Sequence, residues 1–402
     1  MVACGRVGSG GGQSYIRAFG TYTFESNVPV TTESIFDVAS LTKILATATA
    51  ILLLQDRGLL SVEDRVCSHL PEFSANGKGD VTIRHLLTHS AGLKEWYNFK
   101  SMGLETKQKV ADFVLKEKPL YSVGTEYRYS DLSMIALGLI VEKVSECSLD
   151  TFVKENIFMP LGMESTGYRG IDSSAFDWDT RIVPTSVEFS EVRERLLWGE
   201  VHDLNAYLMG GIAGHAGLFS NVSDLVKFCA AILRQGKSET TGKPIYSPKA
   251  SKLFLSRLSS ASPYGFGWNL CGVRKPGAYC SGGQHLSHRA VGHTGFTGTS
   301  MWLDPINNFY IVVLTNAVHP GKTDQSDRIR EVRSDVADAA FELCFPEKFA
   351  GSGMRKAATG AKPTASLSMS ALSTEFSSRI SERWKHWRDL ALFFSVCLWS
   401  AL

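Results

Sequence analysis

Four stretches of the chain place apolar residues at the spacing of a buried or amphipathic helix. In residues 40–58, which carry the strongest pattern, apolar side chains recur three and four positions apart, and Gly58 is suited to end the helix. The other three predicted helices cover residues 132–144, 223–236 and 324–344.

Four further stretches are typical of β-strands. They are residues 15–22, 264–270, 299–303 and 309–316. The last, FYIVVLTN, is a continuous apolar run, which predicts a buried strand at the centre of a sheet. In chain order, one strand is followed by several helices, then by strands with antiparallel spacing and a closing helix. This order predicts an α+β fold with two lobes, whose sheet takes strands from both ends of the chain.

The composition agrees with a folded protein. Hydrophobic residues make up 44% and charged residues 20% of the 402 positions, which excludes wholesale disorder, a collagen-like chain and a small disulfide scaffold. The formal net charge is +2, so nothing favours nucleic acid as a partner. The cysteines are scattered without a CxxC pair, so no zinc site is predicted. Cys271 and Cys280 can face each other across a hairpin, although two separate thiols are the preferred interpretation.

Both ends of the chain differ from the body, which is predicted to run from about Tyr15 to Phe349. The glycine-rich residues before it lack the pattern of a signal peptide, so a cytoplasmic location is the default expectation. Residues 350–402 are predicted to form a flexible low-complexity tail with an apolar end at 390–402. That end is too short to span a membrane, and is either an interfacial anchor or part of a disordered extension. No oligomeric state is predicted.

Ser40 and Lys43 are the first candidates for chemistry, at the start of the strongest predicted helix. A serine there lies near free backbone N–H groups and the positive end of the helix dipole. A lysine three positions later shares its face, so the amine can reach the serine oxygen and help to activate it as a nucleophile. The simpler interpretation, an N-cap serine with a surface lysine, fits the same two residues.

Two further segments carry side chains suited to this chemistry. Tyr129 and Asp131 lie at the start of the second predicted helix, where a phenolate stabilised by a lysine can take a proton from serine. His293, Thr294 and Gly295 precede a predicted strand, and small residues there let a substrate approach closely. A backbone N–H just after this glycine can help to stabilise an oxyanion. Each segment alone is also a common helix start or turn.

The order of these three elements resembles that of the serine β-lactamase and penicillin-binding protein superfamily. It looks most like the branch with class C β-lactamases, D-alanyl-D-alanine carboxypeptidases and related esterases. The likeness is carried by Ser40 and Lys43, by the tyrosine motif at Tyr129 and by the His-Thr-Gly motif at His293. Other segments with the family's pattern are residues 35–39, 81–93, 201–220 and 292–305.

This resemblance implies an antiparallel sheet flanked by helices, a mostly helical lobe, and an active site between them. Residues 1–349 would form the hydrolase domain, with a sheet lobe from about 15–65 and 250–349 and a helical lobe from about 66–249. The implied reaction is hydrolysis of an ester, amide or peptide bond in a small-molecule or peptide substrate. It would proceed through an acyl-serine intermediate, without a metal or organic cofactor.

The resemblance also implies a role for each candidate residue. Ser40 is the expected nucleophile, Lys43 orients it and shares its proton, and Tyr129 is the general base. The backbone N–H groups of Ser40 and Phe296 are expected to form the oxyanion hole. The other residues expected to line the site are Asp131, His215, His293, Thr294 and Gly295.

Two positions depart from the commonest family pattern. Asp131 stands where asparagine is common, and His293 stands where lysine is common. A carboxylate that faces the site would favour the protonated lysine and disfavour a tyrosine phenolate. A histidine attracts a substrate carboxylate less than lysine does at neutral pH. These changes favour uncharged esters or amides over penicillins and D-Ala-D-Ala ends, both of which carry that carboxylate.

A different class of function is a catalytically silent scaffold or binding protein with the same fold. The presence of Ser40, Lys43 and Tyr129 argues against it. The short segment before Tyr15 favours it, because relatives commonly begin with a helix and a complete first strand. His85 and His89 have the spacing of two metal ligands on a helix, but no HExxH motif accompanies them, and their segment is interpreted as structural.

Overall fold

The computed structural model describes residues 1–8, 13–171, 180–190, 192–273, 280–321 and 326–349. Its strands, β1 to β11 in chain order, are Val2–Arg6, Gln13–Arg17, Phe36–Asp37, Gly167–Tyr168, Ser186–Phe189, Glu194–Leu197, Leu218–Ser220, Asn269–Leu270, Val291–Thr294, Ser300–Asp304 and Phe309–Val313. Its α-helices, α1 to α11, are Thr49–Asp56, Val66–His69, Ile83–Leu87, Lys107–Lys116, Asp131–Ser145, Leu149–Val153, Met159–Leu161, Leu204–Leu208, Val222–Leu233, Pro248–Phe254 and Ser326–Cys344. Shorter 3₁₀ or π turns lie at Ala39–Leu41, Lys43–Ala48, Pro71–Gly77, Lys100–Met102, Lys154–Phe158, Cys271–Val273 and Pro346–Phe349.

The main sheet is antiparallel and has the strand order β2-β1-β11-β10-β9-β8. Strand β11 lies inside it and is buried at every position, as its continuous apolar run predicts. Because side chains alternate across a strand, one set of residues packs against α11 and the other against the larger core that includes α9. The sheet therefore has helices on both faces, and strands from both ends of the chain, as predicted.

Strand β1 corrects the predicted start of the folded body at Tyr15. Val2 pairs with Val313 on one side and with Arg17 on the other, so β1 lies between β11 and β2. Its five residues give a weak strand signal, because the run is short and glycines follow it. The argument for a silent protein is therefore wrong where it assumed that little of a first strand precedes Tyr15.

The predicted helix at 40–58 is not one regular helix. A 3₁₀ turn at Ala39–Leu41 leads into a π turn at Lys43–Ala48, and only Thr49–Asp56 is α-helical. The Thr49 hydroxyl donates to the carbonyl of Ile44 at 2.7 Å, five residues back, which matches the wider turn. Apolar periodicity does not distinguish these turns from an α-helix, and π turns are frequent at functional sites.

Other predicted elements agree more closely. Helices α5, α9 and α11 correspond to predicted residues 132–144, 223–236 and 324–344. The predicted strand at 264–270 is shorter, since only Asn269–Leu270 is a strand. The sulfur atoms of Cys271 and Cys280 lie 3.5 Å apart, so these residues do face each other.

None of the helices in the described ranges combines the length and apolar character needed to cross a bilayer. Residues 350–402, for which a low-complexity tail is predicted, lie outside the described residues.

Candidate active site

The turn that carries Ser40 begins where β3 ends, and a buried carboxylate holds it. Ala39 has a φ of 47°, which residues other than glycine rarely adopt. Asp37 accepts hydrogen bonds from the Ala39 N–H at 2.8 Å and from the His202 N–H at 2.7 Å. Burial raises the pKa of Asp37 to about 6, against the effect of these two donors. Tertiary contacts thus stabilise the strained backbone beside Ser40.

Lys43 is 1% exposed and lies at the centre of the site. Its ammonium donates to Ser40 Oγ at 2.8 Å, to Asp131 Oδ1 at 2.8 Å and to the backbone carbonyl of His215 at 3.0 Å. All three ammonium hydrogens therefore have acceptors. Burial lowers the pKa of Lys43, but the charge of Asp131 and the neighbouring phenol of Tyr129 outweigh it, so the pKa is raised. Lys43 is an ammonium in the resting site.

Tyr129 covers the same ammonium, with Lys43 Nζ 5.0 Å from its ring centroid. Its phenol interacts with the side chains of Lys43 and Ser40. Burial raises the pKa of Tyr129, the charge of Lys43 opposes this, and Asp131 adds to it, with a raised pKa as the result. Asp131 thus faces the site, where its carboxylate favours the lysine ammonium and disfavours the phenolate.

The start of α5 fixes the tyrosine motif through two neighbours. Ser130 is the N-cap of α5, and its hydroxyl also donates to the Lys94 carbonyl at 2.7 Å. The Ser130 N–H donates to Nδ1 of His89 at 3.1 Å, and the His89 ring lies 4.7 Å from that of Tyr129. Burial, followed by the charge of Lys43, lowers the pKa of His89 well below its usual value. His89 therefore supports the tyrosine as a neutral ring.

His293 and Thr294 end strand β9, next to the tyrosine. His293 Nδ1 donates to the Thr294 carbonyl at 2.9 Å, and its ring lies 5.7 Å from that of Tyr129. Burial and the nearby charge of Lys43 lower the pKa of His293 to about 3. The histidine that replaces the common lysine is therefore uncharged at neutral pH.

Gly295 has a different neighbour from the one predicted. A Cβ at this position would overlap the Thr299 hydroxyl and lie 2.6 Å from the carbonyl oxygen of Val38. The missing side chain therefore lets this turn pack against the backbone that leads to Ser40. The expectation that the glycine makes room for substrate is replaced by this contact between protein segments.

The two predicted oxyanion donors are the backbone N–H groups of Ser40 and Phe296. Within the described ranges neither N–H makes a hydrogen bond to a protein acceptor. The N–H of Gly295, the residue before Phe296, does donate, to Thr299 O at 2.7 Å. The Phe296 side chain is 75% exposed and stacks on the ring of His202, with centroids 5.6 Å apart. These two N–H groups remain the predicted oxyanion hole.

Arg333, on α11, is a residue that the sequence did not reveal. Its buried guanidinium donates to the carbonyls of Gly295, Gly298 and Thr299 at 2.6–3.1 Å. It holds the turn that contains Phe296 from behind the sheet. The chain carries no motif for it, because its partners are backbone atoms of a segment more than 30 residues away.

His215 is predicted to line the site, but its side chain is only 1% exposed. Nε2 of His215 donates to Asp203 Oδ1 at 3.0 Å, and no exposed face of the ring remains for substrate. Donor atoms of Asp131, Asp203 and His215 lie within 4.8 Å of one another, a spacing that suits a metal ion. However, Lys43 already donates to Asp131, so an ammonium provides the positive charge here.

Residues 6–334 match the sequence profile of the family described as Beta-lactamase. The match covers most of the chain and includes Ser40, Lys43, Tyr129 and His293. The chain belongs to the beta-lactamase family. Members of this family are serine hydrolases, which is the general class predicted from the sequence.

Among beta-lactamase-family relatives, a putative D-alanyl-D-alanine carboxypeptidase of Escherichia coli K12 is 32% identical over 327 residues, covering 76% of this chain and 74% of that protein. An N-acetylmuramyl-L-alanine amidase of Bacillus subtilis 168 is 31% identical over 316 residues, covering 74% and 71%. A penicillin-binding protein homologue from Caulobacter crescentus superposes with a TM-score of 0.62 at 19% identity, covering 84% of this chain and 92% of its own. The predicted β-lactamase/transpeptidase-like fold is confirmed.

Proposed function

We propose that this protein is a serine hydrolase that forms an acyl intermediate on Ser40. The observation that carries the proposal is the 2.8 Å hydrogen bond from the Lys43 ammonium to Ser40 Oγ, in a cluster that includes the Tyr129 phenol. An N-cap serine with a surface lysine does not account for a lysine that is 1% exposed. Family membership supports the same class of reaction.

In the proposed acylation, Ser40 Oγ forms a bond to the acyl carbon while its proton passes to the Tyr129 oxygen. Because the pKa of Tyr129 is raised, only its minor phenolate form can take this proton, and the Lys43 charge lowers the cost of forming it. The tyrosine then gives the proton to the leaving group as the scissile C–O or C–N bond breaks. In deacylation, Tyr129 takes a proton from water, whose oxygen attacks the acyl carbon, and returns it to Ser40. The N–H groups of Ser40 and Phe296 would bind the oxyanion in both steps.

The proposed substrate is an ester, amide or peptide that has no carboxylate beside the scissile bond. The neutral His293 offers no cation for such a carboxylate, and the Asp131 charge is repulsive to it. The relative named as an N-acetylmuramyl-L-alanine amidase supports an amide bond as the target. A D-alanyl-D-alanine carboxypeptidase cleaves beside a free carboxylate, so the relative with that name does not support this substrate class. The general reaction does not depend on this assignment of the substrate.

Replacing His293 by lysine should increase acylation by an anionic penicillin relative to a neutral p-nitrophenyl ester. One added charge near the carboxylate contributes about 1 kcal/mol in water, or roughly a fivefold change in the ratio. In the wild type the ratio should stay constant from pH 8 to pH 5, because His293 has a pKa of about 3 and stays neutral. Stopped-flow acylation rates with the penicillin and with the ester give this ratio at each pH.

The matched control for this test is His288→Lys, which adds the same charge at an exposed position. It should leave the ratio of the two rates unchanged. A wild-type ratio that rises on acidification, or a ratio that His293→Lys does not alter in a folded variant, contradicts the assigned substrate class.

The proposed function itself is tested by intact-mass analysis after incubation with a fluorescent penicillin or a p-nitrophenyl ester. We expect a covalent adduct or ester turnover in the wild type and neither in Ser40→Ala. Equal turnover in both would place the chemistry elsewhere. If the folded wild type forms no adduct and turns over neither compound, the hydrolase proposal is wrong for these substrates and the catalytically silent scaffold is favoured.

A further inference from the structure

One ammonium hydrogen of Lys43 is donated to His215, which forms a buried pair with Asp203 that the proposed mechanism does not use. The acceptor is the backbone carbonyl of His215, 3.0 Å from Lys43 Nζ and 172 residues away in the chain. The His215 ring donates through Nε2 to Asp203 Oδ1 at 3.0 Å. A histidine that is 1% exposed cannot bind substrate directly, so its position needs a different explanation.

Asp203 is fixed from two sides. The same oxygen, Oδ1, accepts the Ala206 N–H at 2.8 Å and so caps the start of α8. Burial favours the neutral acid, but the His215 ring, the Ala206 N–H and Lys43 outweigh it and lower the pKa of Asp203. Asp203 is therefore a carboxylate that anchors the His215 ring to α8.

The backbone next to His215 is also attached to the element that carries Lys43. The Gly214 carbonyl accepts a hydrogen bond from the Thr47 hydroxyl at 2.7 Å, one turn after Lys43. The carbonyls of Gly214 and His215 thus accept hydrogen bonds from Thr47 and Lys43, which lie on successive turns of the same segment. The bond from the His215 ring to Asp203 anchors the other side of the same residue, so its loss would allow the backbone at His215 to shift and change the direction of its carbonyl toward Lys43 Nζ.

We propose that His215 and Asp203 are positioning residues for Lys43. The Asp203 carboxylate orients the His215 ring, which fixes the carbonyl that accepts the ammonium and so aims the ammonium at Ser40 Oγ. The catalytic consequence rests on the proposed function, whereas the contact with Lys43 does not. The charged and titratable groups facing Lys43 from the surrounding elements are His89, Tyr129, Asp131, Asp203, His215 and His293.

The test compares His215→Ala with His215→Gln. The glutamine amide can donate to Asp203 in place of Nε2, whereas alanine cannot. We expect His215→Ala to lower kcat by about 100-fold with little change in KM, as for a misplaced catalytic group, and His215→Gln to recover most of the loss. Equal kcat values for the two variants, or a fall in Tm alone, overturn the proposal.

Asp203→Asn separates charge from geometry, because its amide oxygen can still accept from Ala206 and His215. Loss of a carboxylate near Lys43 favours the neutral amine, so the alkaline limb of the kcat profile should move to lower pH. A limb that stays in place shows that the charge of Asp203 does not reach Lys43, and this part of the proposal is then wrong.

A readout without turnover distinguishes failure of this proposal from failure of the proposed function. In protein with ¹⁵N-labelled lysine, the Lys43 Nζ signal is identified by its loss in Lys43→Arg. We expect a slowly exchanging ammonium signal in the wild type and in His215→Gln, and its loss in His215→Ala. If the wild type proves inactive but this pattern appears, the positioning stands and the hydrolase proposal fails. An unchanged signal in His215→Ala overturns the positioning, whatever the activity.

Discussion

Lys43→Met should abolish acylation of Ser40 and also destabilise the fold. The methionine removes the ammonium that bonds to Ser40 Oγ at 2.8 Å and stabilises the Tyr129 phenolate. Loss of such proton-transfer chemistry lowers kcat/KM by about 10⁴-fold. The free energy of unfolding should fall by about 3 kcal/mol, because the Asp131 carboxylate keeps its partly buried position without its cation.

A double variant separates these two effects. Lys43→Met with Asp131→Asn removes the unpaired charge, so most of the lost stability should return while activity does not. Lys107→Met is the matched control, since it breaks a more exposed ion pair with Glu142 at 2.6 Å and should cost less than about 1 kcal/mol. Chemical denaturation and ester turnover measure the two quantities.

Two results would contradict this account of Lys43. Turnover by Lys43→Met within tenfold of the wild type would remove Lys43 from the chemistry. A double variant as unstable as the single one would show that packing of the lysine stem, and not the charge of Asp131, determines the stability.

The sequence predicted the central cluster because its members lie in short motifs with distinct chemistry. Ser40 and Lys43 are three residues apart, a spacing at which a helical turn allows their side chains to meet. The approach of Tyr129 and His293 to them does not follow from local geometry, and was predicted only from the order of the family's motifs. In the structure the Tyr129 ring covers the Lys43 ammonium, and the His293 ring lies next to that of Tyr129.

Other residues of the site could not be predicted, because their partners are backbone atoms far away in the chain. Arg333 bonds to three carbonyls, and Asp37 to the N–H of His202, so no side-chain motif identifies either one. His89 appeared only as half of a metal-like spacing with His85. In the structure the His85 ring instead takes part in the capping box of α3, and His89 supports the tyrosine motif.

The fold shows the same division between local and distant information. The long apolar run of β11 predicted a central strand, because such a run needs cover on both faces. Strand β1 depends on pairing with β11, about 300 residues later in the chain, and its own five residues carry little signal. Likewise, the turns around Ser40 depart from α-geometry, and the backbone just before Ser40 accepts hydrogen bonds from the distant hydroxyls of Thr297 and Thr299, which a periodic pattern does not record.

Gly214→Ala, which adds a single methyl group near the site, is expected to destabilise the fold strongly. The new Cβ would overlap the Met134 carbonyl oxygen and lie 2.9 Å from its carbon, in the backbone of α5. A helix backbone cannot move aside as a flexible side chain can, so overpacking should lower the free energy of unfolding by about 3 kcal/mol. Chemical denaturation measures this loss.

The same methyl group should also lower activity, through Lys43. Relief of the overlap requires the segment at Gly214 to move away from α5, which lengthens the bonds of its carbonyl to Thr47 and of the next carbonyl to Lys43. Gly138→Ala approaches the same contact from α5, but its Cβ would come no closer than 3.2 Å to Gly214, so a smaller loss is expected.

Gly79→Ala is the matched control, because a Cβ there meets nothing within 4 Å, and its stability should change by less than about 0.5 kcal/mol. The expected loss of stability thus increases from Gly79→Ala through Gly138→Ala to Gly214→Ala, and kcat should fall in the same order. If Gly214→Ala were as stable as the control, α5 and the His215 segment would not be in rigid contact. If it lost stability but kept its kcat, the ammonium of Lys43 would not depend on the position of the His215 carbonyl.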